Sequence, residues 1–150
     1  MKIFKLTKKF RFETAHRLSK DYLGKCSNIH GHSWNGEIAV TAPKLDVFDM
    51  AIDFSDIKEF CKMVEAKLDH KLILWVNDPL VSLLQDADTE VFTMQKNPTS
   101  EALAEMIFNW AVEYFKDVYE EAVEVVYVRI EETCTSSCTY TSDDDYEDED

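Results

Sequence analysis

From residue 2 to residue 14 the chain alternates, with Phe4, Leu6, Phe10 and Phe12 on one parity and Lys5, Lys9, Arg11 and Glu13 on the other. That period of two belongs to a strand with one buried face. A second such run spans about residues 33–42, where Trp34, Ile38 and Val40 oppose Glu37 and Thr41 and Pro43 ends the pattern. The charged stretch 17–28, with Gly24, reads as the loop between them. Over residues 53–67 the apolar spacing changes to three and four: Ile57, Phe60, Cys61, Val64 and Leu68 predict a helix, with Ser55 as its N-cap. Residues 73–97 lose any clear period. Leu74, Trp75, Val76, Leu80, Leu83 and Leu84 are broken by Asn77-Asp78-Pro79 and by acids, so the reading is a long connection holding a short helix and a short strand at 91–94. Pro98-Thr99-Ser100-Glu101 opens a second long helix, with Thr99 as cap, Glu101 in the first turn and Leu103, Ile107, Trp110, Ala111 and Tyr114 as its stripe. A third strand is predicted at 123–133, with Val126, Val128 and Ile130 on one face, and a short fourth at 137–141. The order ββααββ predicts an α+β domain, a four-stranded antiparallel sheet with two helices on one face.

Composition narrows the class without changing that outline. The 150 residues are 45% hydrophobic and 31% charged, with three glycines and three prolines, which excludes a collagenous or low-complexity chain and fits one globular domain over residues 1–142. Thirty acids against sixteen Lys and Arg give a net charge of −14, the wrong sign for a non-specific nucleic-acid or anionic-membrane binder. Asp143, Asp144, Asp145, Glu147, Asp148, Glu149 and Asp150 supply half of it, and 143–150 is expected to be a disordered acidic tail. With no apolar run of membrane-spanning length and no signal-peptide pattern, a cytoplasmic protein with Cys26, Cys61, Cys134 and Cys138 reduced is expected.

Three of the four histidines, His16, His30 and His32, share a parity at the facing ends of the first two strands. If those strands form a hairpin, the three imidazoles converge, the donor set of a catalytic zinc that keeps one position open. Isolated polar residues at strand ends are the bland alternative. Cys26, four residues before His30, could be a fourth ligand, which would close the site, or a nucleophile or base. Cys134-x3-Cys138 raises a zinc ribbon, which would need a second cysteine pair that the chain lacks. Asp69-His70 has the layout of a proton relay, or of a helix C-terminal cap. Glu132 continues the apolar face of the third strand, so its carboxylate should face a pocket and could grip N–H donors.

Taken in order, Phe12-x2-Ala15-His16, Cys26-x3-His30-Gly31-His32, Asp53-Phe54, Leu68-Asp69-His70, Pro98-Thr99-Ser100-Glu101 and Glu132-Thr133-Cys134-Thr135 resemble the 6-pyruvoyltetrahydropterin synthase family over residues 3–141. The Cys26 to His30 gap and the Glu-Thr-Cys-Thr run resemble its 6-carboxytetrahydropterin synthase branch, of queuosine biosynthesis. The resemblance implies a tunnelling fold and a homo-oligomer, a hexamer built as a dimer of trimers, with active sites between subunits. By position it implies that His16, His30 and His32 bind zinc and that Cys26 is the proton acceptor. Asp69 and His70 would be the relay, Glu132 the pterin anchor, and Thr99 and Glu101 part of the pterin pocket. The implied reaction turns 7,8-dihydroneopterin triphosphate into 6-carboxy-5,6,7,8-tetrahydropterin, acetaldehyde and triphosphate. A sibling activity on the same substrate, giving a pyruvoyl or hydroxymethyl pterin, and a zinc-stabilised binding protein without turnover are the alternatives. A polyanionic substrate needs local cations in this acidic chain, and Arg17, Lys20 and Lys25 are the candidates.

Overall fold

The computed structural model describes residues 3–19 and 21–142; the acidic segment 143–150 and Lys20 lie outside the described residues. Ten elements follow in order: β1 (Phe4–His16), a single 3-10 turn (Lys25–Ser27), β2 (His30–Ala42), α1 (Phe54–Leu68), β3 (Leu72–Trp75), α2 (Leu80–Asp86), β4 (Val91–Met94), α3 (Ser100–Tyr119), β5 (Glu124–Thr133) and β6 (Ser136–Thr141). The class is α+β, but the sheet has six strands in the order β4-β3-β1-β2-β5-β6. β1, β2, β5 and β6 are successive antiparallel neighbours. β3 and β4 join beyond β1 in parallel. The expected sheet of four antiparallel strands with two helices is therefore corrected to a mixed six-stranded sheet with three helices. The connection 73–97 hides the difference: Leu72–Trp75 is a short, continuous apolar run with no alternation, and the seven-residue α2 is the crossover a parallel pair requires.

One core joins the sheet to the two long helices. Phe10, Phe12, Trp34, Ile38, Val40, Val128 and Ile130 pack against the α1 stripe (Ile57, Phe60, Cys61, Val64, Leu68) and against Leu103, Ile107, Ala111 and Phe115 of α3. The α1 stripe is the one its spacing predicts. On α3 the buried edge turns further toward Phe108 and Phe115, leaving Trp110 and Tyr114 half-buried. The α1 cap is Asp53, not Ser55: the Asp53 carboxylate accepts from the Ser55 amide at 2.8 Å. Thr99 caps α3, accepting from the Ala102 amide at 3.1 Å.

Two buried polar contacts lock β1 against its neighbours. The Trp34 indole N–H donates to the Thr14 carbonyl at 3.0 Å, and the Thr14 hydroxyl donates to the Leu68 carbonyl at 2.5 Å. The first fixes β2 on β1, the second fixes the end of α1 on the same strand. Directly opposite Phe10 lies Gly36, and a Cβ there would sit 2.2 Å from the Phe10 ring. The glycine exists to let that ring lie across its neighbour strand. No helix of the described residues is long and apolar enough to cross a membrane.

Gly36→Ala should therefore destabilise by about 1–3 kcal/mol, the usual cost of overpacking, measured by urea unfolding. The double variant with Phe10→Leu should recover part of that loss. A Gly36→Ala variant as stable as the parent would show that the ring has room to move.

Candidate active site and metal centre

His16 and His30 end β1 and begin β2 as direct cross-strand partners, and His32 faces Thr14 two positions along. Side chains two apart on a strand share a face, so all three rings stand on the face that carries Phe12 and Trp34. Their centroids are 4.5, 5.0 and 5.2 Å apart. Trp34 lies edge-on beneath them, 5.0 Å from His16 and 5.3 Å from His32. Glu132, near the end of β5, brings its carboxylate to the same point. One ligand atom from each of His16, His30, His32 and Glu132 lies within 4.8 Å of the other three, a group that could hold a metal ion.

The hydrogen bonds behind the rings decide which nitrogens face inward. His16 Nδ1 is 2.7 Å from the Pro98 carbonyl, and His30 Nδ1 is 2.7 Å from the Asn28 carbonyl. A carbonyl only accepts, so both Nδ1 atoms carry hydrogen and present Nε2 to the cluster. Glu132 Oε1 lies 2.9 Å from His32 Nε2 and 3.5 Å from His16 Nε2. Neither contact has hydrogen-bond geometry, so both ring nitrogens are buried without a hydrogen-bond partner. Orphaned, inward-pointing imidazole nitrogens beside a carboxylate are what a divalent cation would satisfy, so the donor set fits a metal. Burial pushes the His16 pKa down, reinforced by His30 and His32 against the opposing pull of Pro98 and Glu132. The ring is therefore neutral at neutral pH, the form that ligates.

Cys26 lies outside the four-residue group, half-buried in the 3-10 turn that precedes β2. Its carbonyl accepts from the Leu18 amide at 2.8 Å, which ties the cysteine turn to the end of β1. Asp69 and His70 also stand apart from the cluster. Asp69 is the C-cap of α1, its Oδ1 accepting from the Glu13 amide at 2.8 Å and its Oδ2 lying 2.7 Å from His70 Nδ1. Those hydrogen bonds, the Glu13 amide first, hold the Asp69 pKa below the usual carboxylate range. The His70 side chain is 80% exposed. Glu101 is exposed in the first turn of α3.

Arg17, one of the cations expected near the substrate phosphates, is engaged by a carboxylate rather than free. Its Nε and Nη2 donate to the two carboxylate oxygens of Asp78, at 2.8 and 2.5 Å. Burial pushes the Asp78 pKa up, but the Arg17 guanidinium and the Leu80 amide outweigh it and the carboxyl lies low. Lys25 is exposed beside Cys26. Asp78 is the residue that sequence reasoning missed, because Asn77-Asp78-Pro79 reads simply as a helix and strand breaker.

Fold and site together define a class: an α+β protein whose first hairpin carries three histidines, joined by a glutamate from β5, in a group able to hold a metal. The chain belongs to the 6-pyruvoyl tetrahydropterin synthase family, whose family model matches residues 5–143. It is 34% identical to the 6-carboxy-5,6,7,8-tetrahydropterin synthase of Aquifex aeolicus, over 91% of this chain and 97% of that one. It is 31% identical to the protein of the same name from Haemophilus influenzae, over 92% and 99%. The 6-pyruvoyl tetrahydropterin synthase of Plasmodium falciparum superposes with a TM-score of 0.73 at 20% identity, over 93% of this chain and 98% of that one, a likeness of fold.

The depressed His16 pKa sets a pH dependence. The unfolded chain takes up this proton near the ordinary value of 6.5, the folded one only at lower pH. Stability of the metal-free protein should thus fall as pH drops from about 7.5 through 6. Thermal unfolding across that window should show the slope, and His16→Gln should flatten it; an equal slope in both proteins would assign the dependence to other groups.

Proposed function

We propose that this protein is a zinc-dependent 6-carboxy-5,6,7,8-tetrahydropterin synthase, acting on 7,8-dihydroneopterin triphosphate and releasing acetaldehyde and triphosphate. The observation that carries the reading is the cluster of His16, His30 and His32, with buried, unpartnered Nε2 atoms at His16 and His32, in a chain that matches proteins of that name almost end to end. His16, His30 and His32 would hold the metal. Bound there, zinc supplies a Lewis acid for the hydroxyls of the substrate side chain. Cys26, which is not one of the four clustered residues, removes the carbon-bound proton from that side chain. Glu132 accepts from the ring N–H and amino groups of the pterin, its side chain being 29% exposed. Thr99 keeps its O–H as a donor to the pterin while its oxygen serves the α3 cap, and Glu101 lines the same pocket.

Asp69 fixes His70 by Nδ1, which turns Nε2 outward to pass a proton. An exposed relay away from the metal group fits a site completed by a second copy of the chain. β3 pairs with β1 only at Ala15 and His16, so among the described residues most of β1 has no strand on its outer side. Covering such an edge is what a homo-oligomer does, and a hexamer of two stacked trimers working in the cytoplasm is the assembly we assign.

Incubating the zinc-loaded protein with 7,8-dihydroneopterin triphosphate and identifying products by mass spectrometry tests the reading. The parent should yield 6-carboxytetrahydropterin with acetaldehyde. Cys26→Ala should keep its zinc and lose activity by about 10²–10⁴-fold, the range of a proton-transfer residue. A pyruvoyl or hydroxymethyl pterin product would move the protein to a sibling activity, and loss of zinc from Cys26→Ala would make the cysteine a ligand.

A further inference from the structure

Four consecutive residues at the end of β1 are each fastened to a different point. His16 Nδ1–H donates to the Pro98 carbonyl at 2.7 Å. Arg17 donates in fork geometry to both oxygens of Asp78. The Leu18 amide donates to the Cys26 carbonyl at 2.8 Å, and the Ser19 amide donates to Asn97 Oδ1 at 3.1 Å. Three of the four anchors belong to the stretch between β3 and α3, and the fourth is the cysteine turn. Asp78 is the hub. Its side chain is 0% exposed against 22% for Arg17, and its Oδ1 also accepts from the Leu80 amide at 2.9 Å, starting α2. The Asp78 amide in turn donates to the Trp75 carbonyl at 2.9 Å, at the end of β3, and the adjacent Val76 amide donates to the Met94 carbonyl at 2.7 Å. The carboxylate is therefore pinned to the parallel β3–β4 pair, a rigid support.

We infer that Arg17 and Asp78 are positioning residues for the metal centre: the ion pair ties the strap 16–19 to the β3–α2–β4 unit, and so sets both the His16 ring and the turn that presents Cys26. A bidentate guanidinium–carboxylate pair fixes direction as well as distance. Because His16 is adjacent to Arg17 in the chain, a released guanidinium frees the backbone that aims Nε2. This gives the β3–α2–β4 segment a task, bracing the metal loop from behind. The inference rests on the metal reading of the His cluster.

The test compares Arg17→Met, Arg17→Lys, Asp78→Asn and the apolar pair Arg17→Met/Asp78→Leu with the parent, by zinc competition against a chromophoric chelator, thermal unfolding and steady-state kinetics. The Met and Asn variants should bind zinc about 10–100-fold more weakly, the range for groups that orient a ligand from behind, with kcat lowered and KM little changed. Arg17→Lys keeps the charge but not the fork and should fall between. The apolar pair should recover the parent melting temperature, since a buried ion pair can be replaced by packed hydrophobic groups, yet keep the weakened zinc affinity. A merely structural role would have affinity return with stability, and that result overturns the inference. So would unchanged zinc affinity in the single variants, including the case in which Arg17→Met raises KM alone, which would return Arg17 to the substrate phosphates. A parent protein that binds zinc but leaves the pterin untouched would overturn the proposed reaction, while the zinc ratios still decide the strap.

Discussion

The register of β1 against β2 is the constraint on which the rest of this molecule depends. With Thr14 opposite His32 and His16 opposite His30, the parity that sends Phe12, Trp34 and Ile38 into the core also sends the three imidazoles to one point. A slip of one residue would turn the whole β2 set outward. Trp34 and Ile38 are fully buried, and burial of each such side chain is worth about 1.5–3 kcal/mol. The hydrophobic effect therefore sets the geometry of the polar site: the histidines occupy the next positions along strands whose register the core has already chosen. The Trp34 indole bond to Thr14 adds direction to a force that has none.

The same arrangement stores a cost. His16 is 2% exposed and its pKa is held down, first by burial, and Nε2 of His16 and of His32 has no hydrogen-bond partner. A buried unsatisfied polar atom costs about 1–3 kcal/mol, so the site weakens the fold that builds it. A cation among these nitrogens removes that penalty and couples its own binding to folding. The carbonyls of Pro98 and Asn28 matter here because they come from loops, so the loops choose the tautomer while the strands choose the position.

Much of this was legible in the sequence, and the physical reason is period. Alternation over 2–14 and 33–42 carries the hairpin and the shared face of His16, His30 and His32, and three-and-four spacing carries the α1 stripe. What escaped has no period to read. Leu72–Trp75 is apolar at every position, with Ile73 and Leu74 both fully buried although they are adjacent, so it does not alternate, and its parallel pairing with β1 depends on contacts far apart in sequence. Asp53 and Ser55 are both good caps, and only the geometry of the turn chooses the aspartate. Arg17 looked like a free cation beside Cys26, because nothing local announces that a partner 61 residues away is waiting for it. Glu132 was legible as a pocket-facing carboxylate, but its approach to the imidazoles required the β2–β5 register.

One backbone feature separates structure from chemistry at Asp69-His70. His70 follows the C-cap of α1 with φ of 57°, the left-handed conformation that glycine takes most cheaply at the end of a helix. A histidine there costs of order 1–2 kcal/mol. It is held by its amide, which donates to the Glu13 carbonyl at 2.7 Å, by the Lys71 amide bonded to Leu68, and by the Asp69 carboxylate on the Glu13 amide. A glycine could make the same backbone bonds without the strain, so capping alone does not account for the residue. What histidine adds is a ring held at Nδ1 by Asp69 and 80% exposed to solvent, which leaves Nε2 accessible from outside the chain.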